Sequence, residues 1–189
     1  MSTTIVPRMP PRYDVPRAAP QPLRLVQELV NTADFEHHRE FLPDPATLSE
    51  WLAERGLPDG ATRADLEQTH RLREALRELL VANGGGKPTR GAVTTLNEIS
   101  ESSGLGLRFA PDGSAGLEPS STGVHAAHGL LLGIVHGAMT DGSWTRLKAC
   151  RQCAWAFYDY SKNRSATWCS MKICGNRLKT RAYRARHRV

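Results

Sequence analysis

Long apolar runs are missing from this 189-residue chain: nowhere do 18 consecutive apolar residues occur, so no segment is expected to span a membrane. The first twenty residues, MSTTIVPRMPPRYDVPRAAP, lack the apolar stretch of a secretory signal. Both absences point to a cytoplasmic protein. Cysteine is absent before position 150. There is no Gly-x-Ser-x-Gly, no His-Glu-x-x-His and no dinucleotide fingerprint. The turn Gly84-Gly85-Gly86-Lys87 places Pro88 where a phosphate loop needs a magnesium-binding Ser or Thr. The expectation is a protein that is not an enzyme.

Acid is the scarcest ingredient of the C-terminal quarter. From Trp144 onward a single acid, Asp159, faces 12 Lys and Arg, whereas the first 143 residues carry 13 Lys and Arg against 18 acids. A mildly acidic body thus ends in a cationic tail, which predicts a polyanionic partner. Seven of the 12 aromatics and all four cysteines, Cys150, Cys153, Cys169 and Cys174, lie in the same tail.

The body reads as mostly helical. Residues 1–22 hold six prolines and read as a disordered leader. Leu23, Val26 and Val30 share one helical face, and Asp44-Pro45 is a helix start followed by Leu48, Trp51 and Leu52. Thr62-x-x-Asp65 is a capping box that opens a long helix through Leu66, Leu72, Leu76 and Leu80, closed by Gly84–Gly86. A further helix spans roughly 90–102. The pattern then alternates through Leu105, Leu107 and Phe109 to the turn Pro111-Asp112-Gly113, with Leu117 on the return strand of a small β-hairpin. Residues Thr122 to Met139 are apolar nearly all round and predict a buried helix. Residues 23–142 are therefore expected to form one helical domain and 144–189 a small module.

A 46-residue module buries little surface and needs a staple. Cys150-x2-Cys153 is a metal knuckle, and four thiolates suit one structural, tetrahedral Zn2+. Two disulfides or free thiols are the competing reading. Two α-helical residues five apart point about 140° away from each other. Cys169 should therefore precede a helix capped by Ser170, with Cys174 in its first turn. The expected order is knuckle, short hairpin through Trp155–Tyr160, then basic helix. On that helix Arg177, Arg181, Arg184 and Arg188 fall on one stripe, Lys179 and Arg186 opposite, which suits phosphate binding on double-stranded DNA. Asn176 could read a base, but its place directly after a ligand favours support of the thiolates.

The segments Phe157-Tyr158-Asp159-Tyr160-Ser161, Trp168-Cys169-Ser170-Met171 and Cys174-Gly175-Asn176-Arg177 resemble the CGNR zinc finger family. Upstream, Leu29-Val30-Asn31-Thr32, Leu48-x-x-Trp51-Leu52 and Leu72-Arg73-Glu74-Ala75-Leu76 resemble the ABATE domain that precedes this finger. The resemblance implies a bacterial, stress-induced transcription regulator. Where the family often has a basic pair, this chain has Ala166-Thr167.

Other residues sustain rival readings. Asn31, His125 and His128 could line a ligand pocket for a small-molecule effector, or a catalytic one, with the zinc module serving stability or oligomerisation. Trp155 and Tyr158 could stack on RNA or single strands. A homodimer is also compatible with the sequence.

Overall fold

The computed structural model describes residues 17–176 and Thr180. Five α-helices form the body: α1 (Leu23–Val30), α2 (Pro45–Ala53), α3 (Arg63–Ala82), α4 (Arg90–Ser103) and α5 (Gly123–Thr140). The caps expected from sequence are present. Asp44 accepts from the Thr47 N–H at 2.8 Å, and Thr62 and Asp65 form a reciprocal capping box. Gly104 ends α4 in the left-handed conformation that only glycine adopts cheaply. Leu29, Leu48, Leu72, Leu76, Leu80, Ile99 and Leu131 are fully buried and join the helices into one core. α5 packs on α4 at Gly129, where a Cβ would come within 2.7 Å of Pro119 and 3.0 Å of Ser103.

Among the described residues three two-stranded antiparallel pairs complete the fold, not the single body hairpin and one finger hairpin expected. β1 (Ala33–Asp34) and β2 (Arg39–Glu40) are too short to show a period in the sequence. β3 (Gly106–Phe109) and β4 (Ala115–Glu118) make the foreseen hairpin, with Leu107 opposite Leu117. β5 (Leu147–Ala149) pairs with β6 (Ala156–Tyr158), and these strands flank the Cys150–Cys153 knuckle instead of following it.

Two further expectations are corrected. Residues 1–16 lie outside the described residues, but Arg17–Pro22 is not a loose leader. The Arg17 carbonyl accepts from the Tyr158 N–H at 2.9 Å, Ala19 is 4% exposed, and the Tyr160 hydroxyl donates to Ala18 O at 2.7 Å. The domain boundary at 142/144 also fails as a division of cores. Leu147, Ala149, Ala156 and Tyr158 belong to the helical core, whereas Trp155 and Phe157 point to the cysteine side. Strand alternation sends successive side chains to opposite faces, so β5–β6 is shared by both hydrophobic clusters.

Candidate metal centre

The four sulfurs converge as the spacing predicted. Cys150, Cys153, Cys169 and Cys174 are buried free thiols whose Sγ atoms all lie within 4.8 Å of one another. Three edges, Cys153–Cys169, Cys169–Cys174 and Cys174–Cys153, measure 3.6, 3.7 and 3.6 Å. A tetrahedron with Zn–S bonds of about 2.3 Å has edges of about 3.8 Å. A disulfide requires about 2.05 Å. Donor type, number, burial and spacing therefore fit one zinc ion and exclude the two-disulfide reading.

Local structure explains each ligand. Ala154 turns the knuckle at φ 57, its N–H bonding Cys150 O at 2.8 Å. Ser170 caps the last turn, Met171–Gly175, accepting from the Ile173 N–H at 3.3 Å. That turn is wider than an α-helix: Gly175 N bonds Ser170 O five residues back, at 3.1 Å. Gly175 lets the Met171 side chain lie close over the turn: a Cβ there would come within 2.8 Å of the Met171 sulfur and displace it. The Cys150 thiol is held well below its usual range by hydrogen bonds from the Cys153 and Cys169 thiols and then from backbone N–H groups, against burial. Burial, followed by the charges of Cys153 and Cys150, pushes Cys174 up to about 12. One thiolate is easy and four are not, unless a dication neutralises them.

Around the site the sequence concealed a polar scaffold. The Asn31 amide donates to Ala156 O at 2.9 Å and accepts from Ala156 N at 2.7 Å, satisfying the outer edge of β6 as a strand would. Arg77, 5% exposed, donates to Val30 O and, at 2.9 Å, to Ala154 O of the knuckle. Asn83 donates to Trp144 O and Leu147 O, each at 2.9 Å. Lys148 and Asp159, 5% and 0% exposed, pair at 2.9 Å, and Asp159 also accepts from Ser161 N and Ala166 N. Lys148 therefore does not belong to the cationic surface on which sequence arithmetic placed it. The legible signal was Asp159 itself, the only acid among 12 cations. Replacing Asn31 by alanine orphans the buried Ala156 N–H and is expected to destabilise the chain by about 1–3 kcal/mol, measurable by thermal or urea denaturation.

Asn31 and His128, two of the residues considered for a ligand pocket, are both buried and hydrogen-bonded within the protein. Asn31 is committed to Ala156, and His128, 1% exposed, bonds Thr69 Oγ1 at 2.8 Å. One cleft of about 840 Å³ lies between Gly84–Gly86 and the knuckle, another of about 490 Å³ between Pro20–Leu23 and α5. Neither is lined by Asn31, His125 or His128. Trp155 and Tyr158 are 3% and 7% exposed, so neither offers a stacking platform to single strands. Burial, then the neighbouring His125, lowers His128 from 6.5 to about 4, with Asp65 opposing. Because the folded state resists this proton, its contribution is complete above pH 6.5 and is lost as pH falls towards 4. The loss reaches on the order of 3 kcal/mol. Urea melts at pH 7 and pH 4.5 should show this slope in the parent chain and a flatter one in His128→Gln.

Arg177, Lys179, Arg181, Arg184, Arg186 and Arg188 lie outside the described residues. Asn176 is exposed, and its carbonyl accepts from the Thr180 hydroxyl at 2.9 Å.

Fold and site together define a zinc-finger protein with a helical N-terminal domain. The chain belongs to the ABATE family, described as "Putative stress-induced transcription regulator", which matches residues 23–158. The CGNR zinc finger matches residues 146–187. The two matches overlap at 146–158, the stretch that contributes side chains to both cores. No curated protein matches the chain. The family assignments support a role in transcription regulation. Among the described residues, no helix is long and apolar enough to cross a membrane.

Proposed function

We propose that the protein is a cytoplasmic, stress-responsive transcription regulator that binds double-stranded DNA through its zinc module, and that it acts by binding and not by catalysis. The carrying observation is electrostatic. Asp159 is the only acidic side chain from Trp144 onward, and it is fully buried against Lys148. Every acidic side chain is thereby withdrawn from the module's surface, while Lys162, Arg164 and Lys172 are exposed. Beyond the last ligand come Arg177, Lys179, Arg181, Arg184, Arg186 and Arg188 with no intervening acid. Zinc supplies rigidity to the root of this segment, and four sulfur ligands leave no open position for water chemistry. Arginine forks favour bidentate contact with phosphate.

Binding to duplex DNA titrated across salt concentrations tests this reading. With about five phosphates neutralised, log affinity should fall against log salt with a slope of about −4.5. The double variant Arg181→Ala, Arg184→Ala should bind more weakly and reduce the slope by about 1.8, with zinc content unchanged. Undiminished affinity in that variant refutes the assignment. Tighter binding to RNA or single strands in competition transfers it to those partners.

A further inference from the structure

The β3–β4 hairpin carries two strongly exposed large apolar residues, Phe109 at 73% and Leu107 at 60%. Among the described residues β3 pairs only with β4, so its other edge is open. Gly106–Phe109 is short and carries one charge, Arg108, but contains no proline and no bulge to block pairing along that edge. The hydrogen-bond pattern shows which groups the edge offers. Ala110 N bonds Ser114 O at 2.8 Å. The bonded pairs then alternate through Arg108 with Gly116 and Gly106 with Glu118. Leu107 and Phe109 therefore direct their own N–H and C=O groups outward, away from β4.

We propose that this edge pairs antiparallel with β3 of a second copy of the chain, with a two-fold axis at Leu107, making a four-stranded sheet across the dimer. Register follows from side-chain alternation. Only pairings that put Leu107 and Phe109 opposite odd-numbered residues keep one face apolar. Placing Phe109 opposite Leu107 of the other copy would set Arg108 against Arg108, a like-charge pair. Centring on Leu107 removes the clash. Leu107 then faces its own counterpart, Phe109 faces Leu105, and Arg108 faces Gly106. Glycine has no side chain, so Arg108 reaches across it to Glu118, the residue paired with Gly106 in the other copy. Two-fold symmetry repeats the ion pair. Charge and shape are complementary within one chain, which is why the partner is a second copy. The inference stands independently of DNA binding.

Sedimentation of the full chain tests it, with zinc content and helical circular dichroism as folding controls. The parent should sediment at twice the 20.8 kDa chain mass. Leu107→Pro removes an outward N–H together with the leucine side chain at the two-fold axis and leaves the β3–β4 bonds in place, so it should give a folded monomer. Arg108→Glu should weaken the dimer about tenfold or more, and Arg108→Glu with Glu118→Arg should restore it. A parent monomeric at about 100 μM, where micromolar association would be saturated, assigns the edge to another occupant and overturns the proposal. A dimer untouched by Leu107→Pro, or a charge exchange without rescue, overturns it as well.

Discussion

Replacing Cys174 by serine, or stripping the metal with a chelator, is expected to collapse the C-terminal module and to lower the melting temperature of the whole chain. Structural zinc in such modules contributes on the order of 10–16 kcal/mol of apparent folding free energy. The cluster around the sulfurs has little else: Trp155 and Phe157, with Ala166 and Trp168 packed against them. The effect should spread because β5 and β6 also place Leu147, Ala149, Ala156 and Tyr158 in the helical core. Elemental analysis should find one zinc per chain, and metal removal should red-shift the tryptophan emission as Trp155 and Trp168 meet water. An unchanged spectrum and melting curve after complete metal loss would show that the thiols hold this fold without an ion.

The second large effect concerns Asp159→Ala. Burial favours protonation of this carboxyl, but the Lys148 ammonium, Ser161 and the Ala166 N–H outweigh it and hold the group at about 2. Its stabilising contribution is present above the ordinary value of 3.8 and is lost as pH falls towards 2. Lys148 Nζ also donates to the carbonyls of Arg164 and Ala166, so the pair ties β5 to the loop that delivers Cys169. Removing the acid leaves a buried ammonium uncompensated, which should cost about 3–5 kcal/mol in urea denaturation at pH 7. Zinc affinity should fall with it, because the loop loses its anchor. The double variant Asp159→Ala, Lys148→Met should recover most of that stability, since a well-packed apolar pair often replaces a buried ion pair without loss. No recovery would mean that Asp159 acts mainly through its backbone partners.

Both effects spread through β5 and β6, where two cores meet, and the packing of these strands was the least legible part of the sequence. The helices were readable because each carries its own instructions: apolar residues at turn spacing, with Asp44 and Thr62 marking the starts. Trp155–Tyr158 shows no alternation to the eye, because both faces of that strand are buried and both therefore carry large or apolar side chains. Asn31 reads as an ordinary helix-terminal residue. Its value comes from Ala156, 125 positions away, and no local pattern encodes that meeting. Arg73 and Arg77 look like solvated helix charges, yet Arg73 is 5% exposed and forms a bidentate pair with Glu40 at 2.7 Å.

By itself the sequence determined that four cysteines suited to one ion would gather in the tail, that the body would be helical, and that positive charge would gather beyond Trp144. Those properties follow from residue type, short spacing and composition, which need no knowledge of distant neighbours. Only the tertiary structure decided that the finger hairpin is built into the helical core, that Arg17–Pro22 is part of the fold, and that Lys148 and Asp159 face each other away from water. These outcomes depend on which surfaces are covered when remote segments pack, and burial is a property of the folded chain, not of any stretch of it.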